Sequence, residues 1–246
     1  MSRPPQILAV SGVLDPDADY RLDGAMRRYA VGLVGVSGRP TRVCFLPTAA
    51  GDDHRHVERF LGGGVIPGDD LERSVLTLFD QPSVSDVRAH LLGQDLIWCG
   101  GGSVVNQIAL WRAHRLDEIL WDCWQSGVVL AGQSAGSLCW HRGGVTDSFR
   151  VGLDVVTDLL GWLPFSNGVH DDLGDQPRRA AFRSAVARGD LGAGFATEDG
   201  VGLLYTGTEL SEAVSVLDGS LAWYVEPDGS GGYQETVVEP RRLRIS

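Results

Sequence analysis

Short runs of apolar, often β-branched residues recur along the chain and alternate with longer stretches in which apolar positions return every three or four residues. Ile7-Leu8-Ala9-Val10 is the first run, closed by Ser11-Gly12, and an acidic loop over 15–19 leads to a helical stretch at 23–36. Apolar runs at 42–47, 74–79 and 94–99 read as further strands, with one helix passing through Arg59-Phe60 and another over 85–92. A long helical region at 105–125 precedes the run Val128-Val129-Leu130-Ala131. Buried parallel strands are apolar on both faces, so this alternation predicts an α/β fold with a parallel sheet covered by helices on either side. Past residue 200 the pattern shortens into three strands, 200–205, 213–217 and 221–225, that look antiparallel, the last two forming a hairpin across Asp218-Gly219. With no internal repeat or linker in view, residues 1–246 are expected to form one domain.

Two successive strands of this pattern end in glycine-rich turns. One runs into Gly100-Gly101-Gly102-Ser103, the other into Gly132-Gln133-Ser134-Ala135-Gly136. Ligands of open parallel sheets sit beyond the carboxyl ends of the strands, so the coincidence marks a site. The second turn has the form G-x-S-x-G of a nucleophile elbow, in which a sharp bend lifts a serine hydroxyl above the sheet. Small flanking residues suit it because strand and helix backbones come close there, and the first N–H groups after the bend are free for an oxyanion. A plain strand–turn–helix with incidental glycines is the competing reading. The triglycine is not a dinucleotide-binding fingerprint, since G-x-G-x-x-G would need glycine where Val105 stands.

Composition narrows the chemistry. The net charge of −11 disfavours a nucleic-acid partner, because phosphate binding needs a basic face. All 21 basic residues are arginine, which removes Walker-type phosphate loops, Schiff-base chemistry and a Ser–Lys dyad. Cys44, Cys99, Cys123 and Cys139 lack C-x-x-C spacing and read as reduced core thiols of a cytoplasmic protein. No signal peptide is expected from the first residues, and no apolar run approaches membrane-spanning length. His54-Arg55-His56 would put its histidines on different faces of a helix, so neither a metal nor a cofactor is expected.

A serine nucleophile needs a base, and the base an orienting acid. His141 lies seven residues after Ser134; on one helix that is about 10 Å along the axis, out of reach. His170, in the turn-rich segment 164–172, could fold back over the sheet. Asp147 is the candidate acid, with Asp154 and Asp158 its rivals.

Taken together, Gly100-Gly101-Gly102-Ser103, Ala131-Gly132-Gln133-Ser134-Ala135-Gly136, Thr146-Asp147 and Asn167-Gly168-Val169-His170 resemble the peptidase E family, the α-aspartyl dipeptidase branch of a group of serine peptidases that also contains cyanophycinase. The resemblance runs from the first strand to about Tyr205 and implies a flavodoxin-like three-layer α/β/α sandwich related to class I glutamine amidotransferases. It also implies Ser134 as nucleophile, His170 as base, Asp147 as third member and the N–H groups of Gly102 and Ala135 as oxyanion hole. An α/β-hydrolase fits less well, because Asp147 and His170 follow the serine too soon. Ser103-Val104 stands where the family usually has Asn-Thr, and Gly168-Val169 where it usually has Asn-Pro. The family's substrate-binding arginine after the histidine falls at Pro177, next to Arg178 and Arg179, which are the expected holders of an acidic first residue. The function expected is hydrolysis of short peptides through an acyl-enzyme on Ser134. A cyanophycinase-like or other small amidase and a non-catalytic amidotransferase-like binding protein are the alternatives. The expected partner is a short peptide, with no nucleic acid or membrane; a homodimer stays open.

Overall fold

In the computed structural model, residues 4–12, 20–62 and 70–244 are described; the acidic loop expected at 15–19 lies outside them. The elements follow the order β1 (Gln6–Val10), α1 (Tyr20–Val34), β2 (Thr41–Leu46), α2 (His54–Leu61), β3 (Leu71–Val75), α3 (Val87–Leu92), β4 (Leu96–Cys99), α4 (Val104–Ala113), α5 (Leu116–Gln125) and β5 (Val129–Gln133). After them come α6 (Ala135–Leu138), β6 (His141–Thr146), β7 (Asp154–Val156), β8 (Leu163–Gly168), α7 (Arg178–Arg188), β9 (Gly194–Thr197), β10 (Val201–Thr206), β11 (Glu209–Ser215), β12 (Ala222–Pro227), β13 (Tyr233–Val238) and β14 (Arg241–Arg242).

Eight strands form one sheet in the order β14-β11-β10-β1-β5-β4-β2-β3. Its central run β3-β2-β4-β5 has the 2-1-3-4 order of a flavodoxin-like sheet, with β1 in the fifth place and every pairing in this run parallel. Alternate residues of β1 serve opposite cores: Ile7 and Ala9 pack with Trp111 and Trp124 of α4 and α5, whereas Leu8 and Val10 pack with Met26 and Ala30 of α1. Burial on both faces is why these strands are apolar throughout. The fold is thus the mixed α/β sandwich anticipated from the chain pattern.

Several local expectations change. The stretch 105–125 is two helices, broken at His114-Arg115, where Arg115 adopts φ 54. α6 is only one turn, so His141 is not on an elbow helix but opens β6. Segment 163–168 is strand rather than loop: β8 lies between β6 and β9, parallel to both, in a second sheet ordered β13-β12-β9-β8-β6-β7. The expected hairpin across Asp218-Gly219 is absent, because β11 pairs with β10 in the first sheet and β12 with β9 and β13 in the second. Propensity read those strands correctly, but which sheet each joins is decided by burial against α7 and β9. The two sheets meet where β9 passes through residues 198–200 into β10, and that crossing shapes the site.

Candidate active site

Ser134 follows β5 at φ 55 and ψ −113, a backbone conformation rare for a residue with a side chain. Its neighbours show why the elbow requires glycine. A Cβ on Gly132 would lie 2.4 Å from the Gly136 carbonyl oxygen, and one on Gly136 would lie 2.4 Å from that of Cys99. β1 holds the bend in place, since the Ser134 N–H donates to the Val10 carbonyl at 3.0 Å.

The glycine turn after β4 packs directly against the serine. A Cβ built on Gly101 would stand 3.2 Å from Ser134 Cβ. Gly102 sits at φ 136, where a Cβ would meet the Ala49 carbonyl oxygen at 2.2 Å. The N–H groups of Gly101 and Gly102 have no backbone acceptor among the described residues. Together with Ala135, the first residue of α6, they border the serine.

His170 stands two residues beyond β8, buried, at φ 58. Its Nε2 is 2.9 Å from Ser134 Oγ, and its Nδ1 is 2.5 Å from Asp199 Oδ1. A carboxylate only accepts, so the Nδ1 proton is donated to Asp199 and Nε2 is left to accept the serine proton. Ser11 fixes the histidine backbone, its Oγ accepting the His170 N–H at 2.8 Å and donating to the Thr197 carbonyl at 3.0 Å. Gly12 lets the ring approach: a Cβ there would be 3.0 Å from His170 Cε1. Next in the chain, Asp171 is buried against Arg183, 2.9 Å away, and burial raises its carboxyl above the usual range while the guanidinium opposes the shift.

Asp147 does not occupy the expected third position. It directly follows β6, and its carboxylate accepts from Arg178 at 2.9 Å. Asp154, one of its rivals, is paired with Arg150. The acid facing His170 is Asp199, in the crossing between β9 and β10, with its own N–H donating to Asp172 at 2.9 Å. Glu198-Asp199-Gly200 before an apolar strand is a visible acidic turn, but nothing local ties it to His170. Arg178 and Arg179 also differ from expectation. Arg178 is taken up by Asp147 and Gln176, whereas Arg179 binds Glu198 and lies 4.4 Å over the Trp223 ring. Beside the serine lies instead a cavity of about 360 Å³, walled by α1, α2, the ends of β2 and β4 and the glycine turn.

A family model, Peptidase family S51, matches residues 32–213. The chain belongs to peptidase family S51. It is 39% identical over 184 residues to the uncharacterized peptidase YgaJ of Bacillus subtilis, covering 75% of this chain and 77% of that one. Among solved structures it is similar to a peptidase from an acI-B1 Actinobacterium (TM-score 0.67, 16% identity, 96% of this chain and 95% of the other). It is also similar to a putative peptidase E protein from Listeria monocytogenes EGD-e (TM-score 0.64, 14% identity, 87% of this chain and all of the other). At these identities the two structures speak for the fold. Membership of S51 makes the chain a peptidase, and the S51 match spans Ser134, His170 and Asp199.

Proposed function

We propose that this S51 member is a serine peptidase that cleaves short peptides by acyl transfer. The observation that carries the reading is the unbroken line Ser134 Oγ, His170 Nε2, His170 Nδ1, Asp199 Oδ1, built on a strained serine. Ser134 attacks the scissile carbonyl as His170 takes its proton, and Asp199 keeps the imidazole oriented and stabilises the imidazolium that forms. The tetrahedral oxyanion is received by the N–H groups of Gly102 and Ala135. His170 then returns the proton to the leaving amine, and water, activated by the same histidine, hydrolyses the acyl-enzyme. A cavity of about 360 Å³ suits one or two amino-acid residues better than a long chain, which supports a dipeptidase-like range.

A fluorophosphonate probe tests the mechanism together with hydrolysis of a dipeptide panel. The wild type should be labelled on Ser134, and Ser134→Ala, which alanine's small size lets fold, should lose both labelling and hydrolysis. Labelling elsewhere, or turnover by Ser134→Ala within about tenfold of wild type, would overturn the assignment.

A further inference from the structure

The glycine turn beside Ser134 is held from both sheets. Gly101 abuts the serine, and Gly102, at φ 136, leads through Ser103 into Val104, the first residue of α4. On one side the Ser103 N–H donates to the Ala49 carbonyl at 2.8 Å, in the short turn after β2. On the other, the Val104 N–H donates to Ser148 Oγ at 3.1 Å, across 44 residues of chain. Ser148 stands two residues past the end of β6, at the start of the hairpin to β7 in the second sheet, whose register pairs Thr146 with Asp154. Its hydroxyl is itself fixed. Thr146 Oγ1, buried at the end of β6, lies 2.8 Å from Ser148 Oγ and accepts the Ser148 N–H at 3.2 Å. A serine in a turn ordinarily bonds its own neighbouring backbone, whereas this one presents its oxygen to a distant helix. That helix already has a cap of its own, Ser103 Oγ accepting the Asn106 N–H at 3.2 Å. What Ser148 adds is a hold on the buried N–H two residues beyond Gly102.

Resting on the serine-peptidase reading, we propose that Ser148 is a positioning residue for the reaction, clamping the glycine turn so that the Gly102 N–H stays aimed at the oxygen that turns negative when Ser134 attacks. Ser134 and the glycine turn ride on the first sheet, whereas His170 follows β8 of the second. The Val104–Ser148 bond ties the oxyanion donors to the sheet that supplies the base. Donors fixed in advance act most strongly where charge develops, so the clamp favours the transition state and leaves binding of the intact peptide alone.

Steady-state hydrolysis of a dipeptide, with inhibition by a peptide aldehyde of the same first residue, tests this. Ser134 Oγ bonds to the aldehyde carbon, the carbonyl oxygen becomes the oxyanion of a tetrahedral adduct, and His170 keeps the serine proton. Ser148→Ala should lower kcat about tenfold to a hundredfold with KM within about twofold, and weaken the aldehyde by the same factor. Dipeptide binding measured by calorimetry in a Ser134→Ala background should not change when Ser148→Ala is added. Ser148→Thr, which keeps the hydroxyl, should restore both kcat and aldehyde affinity. Thr146→Val, similar in shape, removes the group that aims the hydroxyl and should move the same two quantities in the same direction, which decides the matter if Ser148→Ala does not fold. A cap serving α4 alone would lower the melting temperature and leave kcat and aldehyde affinity in place. That result overturns the clamp, as does a fall in kcat without a fall in aldehyde affinity, or a change confined to KM. Fluorophosphonate labelling keeps the two readings apart. A wild type labelled on Ser134 beside an unimpaired Ser148→Ala removes the clamp only, whereas a wild type that neither labels nor turns over removes both.

Discussion

Ser11 Oγ accepts the backbone N–H of His170 at 2.8 Å, so the first strand of the chain holds a base that arrives 159 residues later. The same residue's carbonyl lies 3.2 Å from the Ser134 N–H. One buried serine at the end of β1 therefore sets the spacing between the proposed nucleophile and its base. Ser11→Ala should leave a folded protein with kcat lowered by about tenfold or more and KM little changed. Removing a partner from a buried N–H costs about 1–3 kcal/mol, enough to let His170 shift. Steady-state kinetics beside a thermal melt checks this; unchanged kcat would show that the loop holds itself.

Asp199→Asn and Asp147→Asn form a matched pair. The first leaves His170 Nδ1 facing an amide and should lower kcat by about 10⁴, as loss of an orienting carboxylate does in such triads. The second breaks only a half-exposed pair with Arg178 and should leave kcat within about threefold. Reversal of that order would return the third position to Asp147.

Gly102→Ala should abolish hydrolysis. Its Cβ would enter the Ala49 carbonyl, and φ 136 is strained for any side chain, so the turn must move and carry its N–H groups away from Ser134. A melt and a circular-dichroism spectrum near wild type, with kcat/KM lost, is the expected result.

His141 predicts a pH dependence of stability. It is fully buried, with Nδ1 donating to the Ser137 carbonyl at 2.9 Å, and burial pushes its pKa from 6.5 down to about 4. Below pH 6.5 the unfolded chain takes up a proton there that the folded one refuses. Its contribution is therefore complete above that value and lost as pH falls towards 4, by about 3 kcal/mol in all. Chemical denaturation at pH 7.5 and pH 5 measures the slope, and His141→Phe should flatten it.

The cysteines should be silent in the native state. All four are buried, and burial pushes Cys44 and Cys123 up to about 12 and holds Cys99 and Cys139 well above the usual thiol value, so little thiolate forms. Thiol reagents should react only on unfolding and leave activity intact.

What could be read from the chain is what local geometry dictates. Gly132 and Gly136 have no room for a Cβ, and Gly102 has neither room nor a permitted φ, so residue type reveals conformation. The parallel strands were legible because burial on both faces writes itself as unbroken apolar runs. Asp199 was not, because it meets His170 only through the passage of β9 into β10 between two sheets, a relation without local signature. Likewise Pro164, Asn167 and Gly168 suggest a turn, yet they lie in β8, where pairing with β6 and β9 outweighs their preference.

The place of β1 has a consequence for how the chain is made. Gln6–Val10 precedes β5 and β10 in the chain by more than a hundred residues, yet these are its neighbours in the sheet, and Gln6 pairs with Thr206. The middle of the eight-stranded sheet therefore cannot close until most of the polypeptide has been synthesised, and such non-local pairing is slow to form. A fragment trimmed to residues 32–213 would keep Ser134, His170 and Asp199 but lack the strand that separates β5 from β10. Two unpaired edges would then open beside the nucleophile, inviting aggregation. Peptidase activity in this molecule becomes a late event of biosynthesis, switched on by the closing of its own central sheet.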